Sequence, residues 1–299
     1  MGFIDQERAR EFWDRARREA AADQQTGYLQ DEWPSALGRN RFLGEWRDVS
    51  RWLDDARVAR GSCLDVGCGV GVWLEVLAGR FERAHGIDLS GEMVASARAR
   101  VPANVTVEQK SVLELDDDAR YDLVFVGGVL MYLNDDVVED MVARLARLVR
   151  PGGLLILRES TSSPKTWYRD KPLAPGLHAD RSLPRAPYQA IYRPPLAYRD
   201  MALANGLEIL RCHPNRHYQM ADMTEVWLRV LDKLAFGALA RRRPTAEKVA
   251  RAVHALRPVT LWPPYLILRR LAKIDNWWTV CRQPQASLSA AAASSSLEL

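Results

Sequence analysis

The 299-residue sequence predicts an α/β protein, a mostly parallel sheet with helices on both faces. Three observations predict it. Short apolar runs alternate with stretches of helical period between residues 62 and 157. One of these runs, YDLVFV at 121–126, is too uniformly apolar for a strand with one wet face. A glycine-rich turn, CLDVGCGVG at 63–71, stands where the first run meets the first helical stretch.

Residues 3–22 read as an amphipathic helix with Phe12 and Trp13 on its apolar side, and a looser aromatic stretch follows, carrying Tyr28, Trp33, Phe42, Trp46 and Trp52. Strand signals fall at 62–66, 84–88, 105–108, 121–126 and 154–157. Helical signals fall between them at 70–80, 91–100 and 135–150, the last with Val138, Met141, Leu145 and Leu148 on one face and a stop at Pro151-Gly152-Gly153. Residues 159–195 are rich in proline and arginine with little periodicity. A helix at 196–205 and strands at 207–212 and 277–283 complete the pattern. Such sheets bind ligands at the carboxyl ends of their strands, and the glycine turn sits at that kind of position.

Composition sets limits. No run of about 18 apolar residues exists, which argues against a spanning helix, and the charged first twenty residues lack the apolar stretch of a signal peptide. Cys63, Cys68, Cys212 and Cys281 show no metal or CxxC spacing and read as free thiols of a reducing, cytoplasmic compartment. His213 and His217 are four apart, but Pro214 interrupts a helix there, so no metal pair is expected. Charge is asymmetric: residues 1–157 hold 20 Lys+Arg against 27 Asp+Glu, whereas residues 158–284 hold 22 against 10. Different partners are expected for the two halves.

The turn itself excludes two ligand classes. A dinucleotide site wants GxGxxG, but Val72 stands where the last glycine belongs. A phosphate-cradling loop wants lysine followed by serine or threonine, and neither follows. The spacing is DxGxGxG. With LDVGCGVG (64–71), GIDLS (86–90), YDLVFVGGVLMYL (121–133) and LVRPGGLLILRES (148–160) in this order, the sequence resembles the class I S-adenosylmethionine (SAM)-dependent methyltransferases over residues 60–212.

That resemblance implies a Rossmann-like class I methyltransferase sheet, mostly parallel and seven-stranded, with an N-terminal helical lid and a C-terminal helical insertion. It implies SAM as cofactor, S-adenosyl-L-homocysteine (SAH) as product and no metal. Gly67, Cys68, Gly69 and Gly71 give close backbone approach. Asp88, with Leu89 and Met93 beyond it, would accept the ribose hydroxyls, and Asp65 would act through the turn amides and the cofactor's positive charge. Ser111 and Val112 would meet adenine, and Gly127, Gly128 and Val129 would lie under the methionine part. Tyr28 is the expected lid contact, and Trp33 and Tyr132 would face the acceptor.

Methyl transfer needs alignment and exclusion of water more than a fixed triad. RESTSSPKTWYRDK (158–171) and AIYRPP (190–195) resemble the phosphobase and small-amine N-methyltransferase branch, which nominates Glu159 and Tyr192 as catalytic and Arg193 as a substrate contact; Arg158, one of the arginines crowding this half, is a further expected substrate contact. His178 and His217 are the free candidates for a base near neutral pH. The arginines of this half favour an anionic acceptor, small or carrier-bound, on oxygen or nitrogen. RNA methylation is a competing reading, disfavoured because the basic residues are not interleaved with aromatics. A non-catalytic SAM- or nucleoside-binding interaction module is another. The expected organisation is a lid at 1–58, a core at 59–217 and 277–284, a basic helical insertion at 218–276 and a disordered tail at 285–299. Arg241-Arg242-Arg243 and the aromatic-edged helix near 262–270 would let the insertion touch an anionic membrane surface peripherally.

Overall fold

The computed structural model describes residues 3–19, 35–115, 118–171, 188–234, 248–249, 252 and 274–285. In chain order the elements are α1 (Gln6–Glu19), α2 (Ser35–Asp55), β1 (Ser62–Val66), α3 (Val72–Ala78), β2 (Arg83–Asp88), α4 (Gly91–Arg98) and β3 (Val105–Gln109). They continue with β4 (Tyr121–Gly127), α5 (Asp135–Leu148), β5 (Val149–Ser162), β6 (Trp167–Asp170), β7 (Gln189–Tyr192), α6 (Pro195–Ala204), β8 (Glu208–Pro214), α7 (Arg216–Leu234) and β9 (Ile274–Arg282).

Seven strands form one sheet in the order β3-β2-β1-β4-β5-β9-β8, and β6 pairs with β7 beside it. Strands β1 to β5 run parallel, while β9 enters antiparallel between β5 and β8. Neighbouring strand residues point to opposite faces, and the buried runs sort accordingly. Leu64, Val66, Val124, Val126, Leu155 and Leu157 pack under α5 and α6. Cys63, Leu123, Phe125, Leu154 and Ile156 pack under α2, α3 and α4. Strand order reverses between β1 and β4, which opens the crevice that follows the glycine turn.

Several expectations change. The stretch before residue 58 is not all lid: α2 is one 21-residue helix that delivers Val49, Trp52 and Leu53 to the core. The helix expected to stop at Pro151 ends at Leu148, and β5 absorbs the Pro-Gly-Gly through a shift of register between Tyr121 and Leu123 of its partner β4. Strand β9 begins at Ile274 rather than 277, because its first residues pair with the far end of β5, Ser162 opposite Ile274. The aperiodic stretch 159–195 holds the β6–β7 pair. Helix α7 starts at Arg216, so the insertion begins inside the core, with Ala221, Thr224 and Leu228 buried. Arg241 to Arg243 and residues 262–270, which motivated the membrane contact, lie outside the described residues, as does most of the expected tail. Among the described residues no helix is long and apolar enough to cross a membrane. Cys63, Cys68 and Cys281 are buried free thiols and Cys212 is half-buried.

Candidate cofactor and active site

The turn after β1 is built from left-handed glycines: Gly67, Gly69 and Gly71 have φ of 70°, 54° and 81°. L side chains rarely adopt these angles. A Cβ on Gly67 would stand 2.2 Å from Val129 Cγ2, and one on Gly71 3.1 Å from Ala97 Cβ. At Gly69 nothing lies within 4 Å, and the same holds at Gly128 (φ 76°) beyond β4. Two glycines therefore hold space open rather than accommodate a neighbour.

The turn is stitched to β2. Gly67 N and Cys68 N both donate to Ile87 O, at 2.8 and 2.9 Å. Asp88 Oδ2 accepts from Gly69 N at 2.8 Å and Oδ1 from Ser90 N at 2.9 Å. Burial raises the Asp88 carboxyl above its ordinary value, and these amide bonds oppose the rise. Asp65 corrects an expectation: the amides of Gly67, Cys68 and Gly69 bond to Ile87 and Asp88, and that of Gly71 to Cys68 O, none of them to Asp65. Its side chain is buried, its Oδ2 has no partner, and burial followed by the Asp88 charge pushes it up to about 8. An orphaned carboxylate oxygen wants a cation or a proton donor. Cys68 turns its thiol into the core beneath Gly86 and leaves its backbone to the turn.

On the β2–β3 side, Met93 and Val112 are buried and Leu89 is half-buried. Ser111, expected against adenine, caps the short helix that follows: its Oγ accepts from Leu113 N at 3.2 Å and its N donates to Glu114 Oε2 at 2.9 Å. On the β4 side, Gly127, Gly128 and Val129 lead into a 3₁₀ turn at Leu130–Tyr132. Glu159 Oε1 accepts from Val129 N and Leu130 N at 3.0 and 3.2 Å, so this carboxyl anchors the turn from below. It is not a solvated strand-end charge: it is 1% exposed, its Oε2 has no partner, and burial pushes it up to about 7 against its amide bonds.

The two arginines nominated for the acceptor are spent inside the fold. Arg158 Nε and Nη2 donate to the Glu45 carboxylate at 3.1 and 3.0 Å. Arg193 Nη1 and Nη2 hold Leu130 O and Leu133 O at 3.0 and 2.7 Å, and its Nε reaches Asp135 at 2.9 Å. His217 is also paired within the fold: its Nε2 meets Asp48 Oδ2 at 3.0 Å in the α2–α7 contact, with its ring against Gly44. Tyr192 is buried, stacked on Trp167 and joined to Tyr188 OH at 3.3 Å, which also meets Tyr132 OH at 3.1 Å. Tyr28, Trp33 and His178 lie outside the described residues. The sequence reading placed α1 in an N-terminal lid but named as site residues neither Trp13, which packs edge-on to Tyr132, nor Asp14, which reaches Ser90. Asp14 beside the apolar Phe12-Trp13 pair was the available signal, since a carboxylate there must find a donor.

A seven-stranded sheet of this order, with a glycine turn after β1 and an acid closing β2, defines a nucleoside-cofactor transferase fold of the Rossmann-like type. Over residues 63–153 the chain matches the family described as "Methyltransferase domain". Among curated relatives, a trans-aconitate 2-methyltransferase of Pseudomonas aeruginosa (strain UCBPP-PA14) is 34% identical over 145 residues, covering 47% of this chain and 51% of the relative. Nodulation protein S of Rhizobium tropici is 32% identical over 142 residues, 46% of this chain and 56% of that protein. A trans-aconitate 2-methyltransferase of Methylobacterium nodulans is 38% identical over 97 residues, 32% of this chain and 36% of the relative. The chain thus spans from about a third to just over half the length of these relatives. A structure assigned as a sarcosine dimethylglycine methyltransferase from Galdieria sulphuraria shares the fold, with TM-score 0.53 and 16% identity over 83% of this chain and 88% of that one.

Proposed function

We propose that the chain binds SAM in the turn Gly67–Gly71 and transfers a methyl group to an oxygen or nitrogen of a small or carrier-bound anionic acceptor. The observation that carries this reading is the pairing of Asp88 with Gly69. The carboxylate that would take the ribose hydroxyls is oriented by the amide of a glycine whose Cβ space is open. The orphaned Asp65 Oδ2 supports the same ligand, because a nearby positive charge would favour the ionised form that burial and Asp88 oppose. SAM, when bound, supplies a methyl carbon activated by positive sulfur. The chain's own contribution is alignment and dryness: Val129 and the turn held by Glu159 form one wall, and Trp13 and Tyr132 another.

An anionic acceptor draws support from the relatives named for trans-aconitate. Arg158 and Arg193 are committed elsewhere; Arg169, a further arginine of this half, has its guanidinium 5.9 and 5.7 Å from the Trp167 and Tyr188 rings. Calorimetric titration of wild type and Asp88→Ala with SAM and SAH tests the cofactor reading, and SAH release with carboxylate acceptors tests turnover. The expected loss for Asp88→Ala is at least about tenfold, the order for charge-assisted hydrogen bonds to two hydroxyls. Unchanged affinity, or tighter binding of NADH than of SAM, would sink it. SAM binding without turnover on any acceptor would favour a binding module.

A further inference from the structure

Helix α1 is fastened at both ends to opposite sides of the crevice. At its start, Ile4 N donates to Asn134 Oδ1 at 2.7 Å, Asn134 Nδ2 returns a bond to Ile4 O at 2.9 Å, and Gln6 Nε2 meets Tyr132 O at 2.7 Å. These partners follow β4. At its end, Arg17 Nε donates to Ser96 Oγ at 2.7 Å and Arg18 pairs with Glu92 at 3.4 Å, both on α4, which follows β2. Because β1 lies between β2 and β4 in the sheet, the helix crosses the carboxyl end of β1 and the glycine turn. Its 14 residues span about 20 Å, ample for three strands about 5 Å apart.

Asp14 is a buried polar contact within this strap, 8% exposed. Its Oδ1 accepts from Ser90 Oγ at 2.5 Å and, more loosely, from Glu92 N at 3.4 Å, while its Oδ2 takes Arg10 Nη1 at 3.0 Å. Ser90 N in turn donates to Asp88 Oδ1, and Asp88 Oδ2 accepts from Gly69 N. An unbroken path of hydrogen bonds thus runs from the strap helix through the ribose-facing carboxylate to the glycine turn.

We infer that Asp14 is a positioning residue that couples docking of α1 over the crevice to the cofactor grip of Asp88. This rests on the SAM reading above. Coupling of binding free energies is reciprocal: a docked strap tightens the nucleoside site, and an occupied site tightens the strap. SAH is therefore retained until α1 lifts, and α1 opening belongs to product release.

The test uses SAH as probe on the full chain, with Asp14→Ala and Asp14→Asn. Calorimetry gives affinity; trypsin digestion followed by mass spectrometry gives the cleavage rate at Arg8, Arg10, Arg15, Arg17 and Arg18, with and without SAH. In wild type, SAH should slow cleavage within α1. Asp14→Ala should weaken SAH about tenfold and abolish the slowing, and Asp14→Asn, which keeps an acceptor for Ser90, should restore most of both. A purely structural role would change cleavage equally with and without SAH, and that result overturns the coupling. So does SAH binding to Asp14→Ala as to wild type with α1 equally protected. Failure of wild type to bind SAH would instead overturn the cofactor reading, and the coupling with it.

Discussion

Glu159 Oε1 sits 3.0 Å from Val129 N and carries the turn that Val129 begins, while the other oxygen of the same carboxyl has no partner. The group is half satisfied. Val129 in turn fills the space beside Gly67, so a carboxyl at the end of β5 fixes the wall opposite the glycine turn.

This geometry sets a pH dependence. Burial raises Glu159 from 4.5 to about 7, with its amide bonds and the Arg158 charge opposing. A carboxyl raised on folding favours the protonated native state. Its stabilising contribution is full below about pH 4.5 and is lost as pH rises through about 7. Glu159→Gln keeps a carbonyl for Val129 and Leu130 and cannot ionise. Its stability relative to wild type should therefore grow between pH 4.5 and 7.5, by at most about 3 kcal/mol, in urea unfolding at a series of pH values. Parallel profiles would mean that Glu159 does not titrate in this window.

Gly67 and Gly69 should respond differently to the same methyl group. Gly67→Ala places Cβ 2.2 Å from Val129 Cγ2 on left-handed backbone, so the protein should lose about 2–4 kcal/mol of stability from overpacking and strain. Gly69→Ala meets no atom within 4 Å and should cost only about 1–2 kcal/mol for its backbone angle. It should nevertheless weaken SAH at least tenfold, because the added methyl occupies the ligand's space. Thermal melts and SAH titration of the two variants decide. Normal SAH binding by a folded Gly69→Ala would remove that glycine from the cradle.

The glycine turn and Asp88 were legible in sequence because each follows from a local demand. Left-handed backbone wants glycine, and an acid that closes β2 needs no distant partner to be recognised. The strands β1 and β4 were legible for the same reason, since burial on both faces leaves an unbroken apolar run. Arg158, Arg193 and His217 misled because charge shows in sequence while pairing does not. Glu45 lies 113 residues from Arg158, and Asp48 lies 169 from His217. Helix α2 hid behind its mixed aromatic and basic surface, whose sense depends on α7 and the Trp278 face of the sheet packing against it.

The Arg158–Glu45 pair yields the last test, because it separates a ligand role from a structural one. Both side chains are buried, and Glu45 Oε1 also accepts from Asn215 Nδ2 at 2.7 Å. Arg41, four residues earlier on α2, stands 3.5 Å from the same carboxylate. Glu45 is the shared partner of two buried guanidiniums, so removing it leaves both uncompensated, which costs about 3–5 kcal/mol, whereas removing Arg158 leaves Glu45 still paired with Arg41 and Asn215. Glu45→Leu should lower unfolding free energy by about that amount and Arg158→Met by less, and the double variant, which strands one cation where Glu45→Leu strands two, should lose less than the two losses added. Denaturant unfolding of the four proteins measures the coupling. If Arg158→Met kept full stability and instead raised the KM for the acceptor, Arg158 would be returned to the acceptor site and the salt bridge would be incidental.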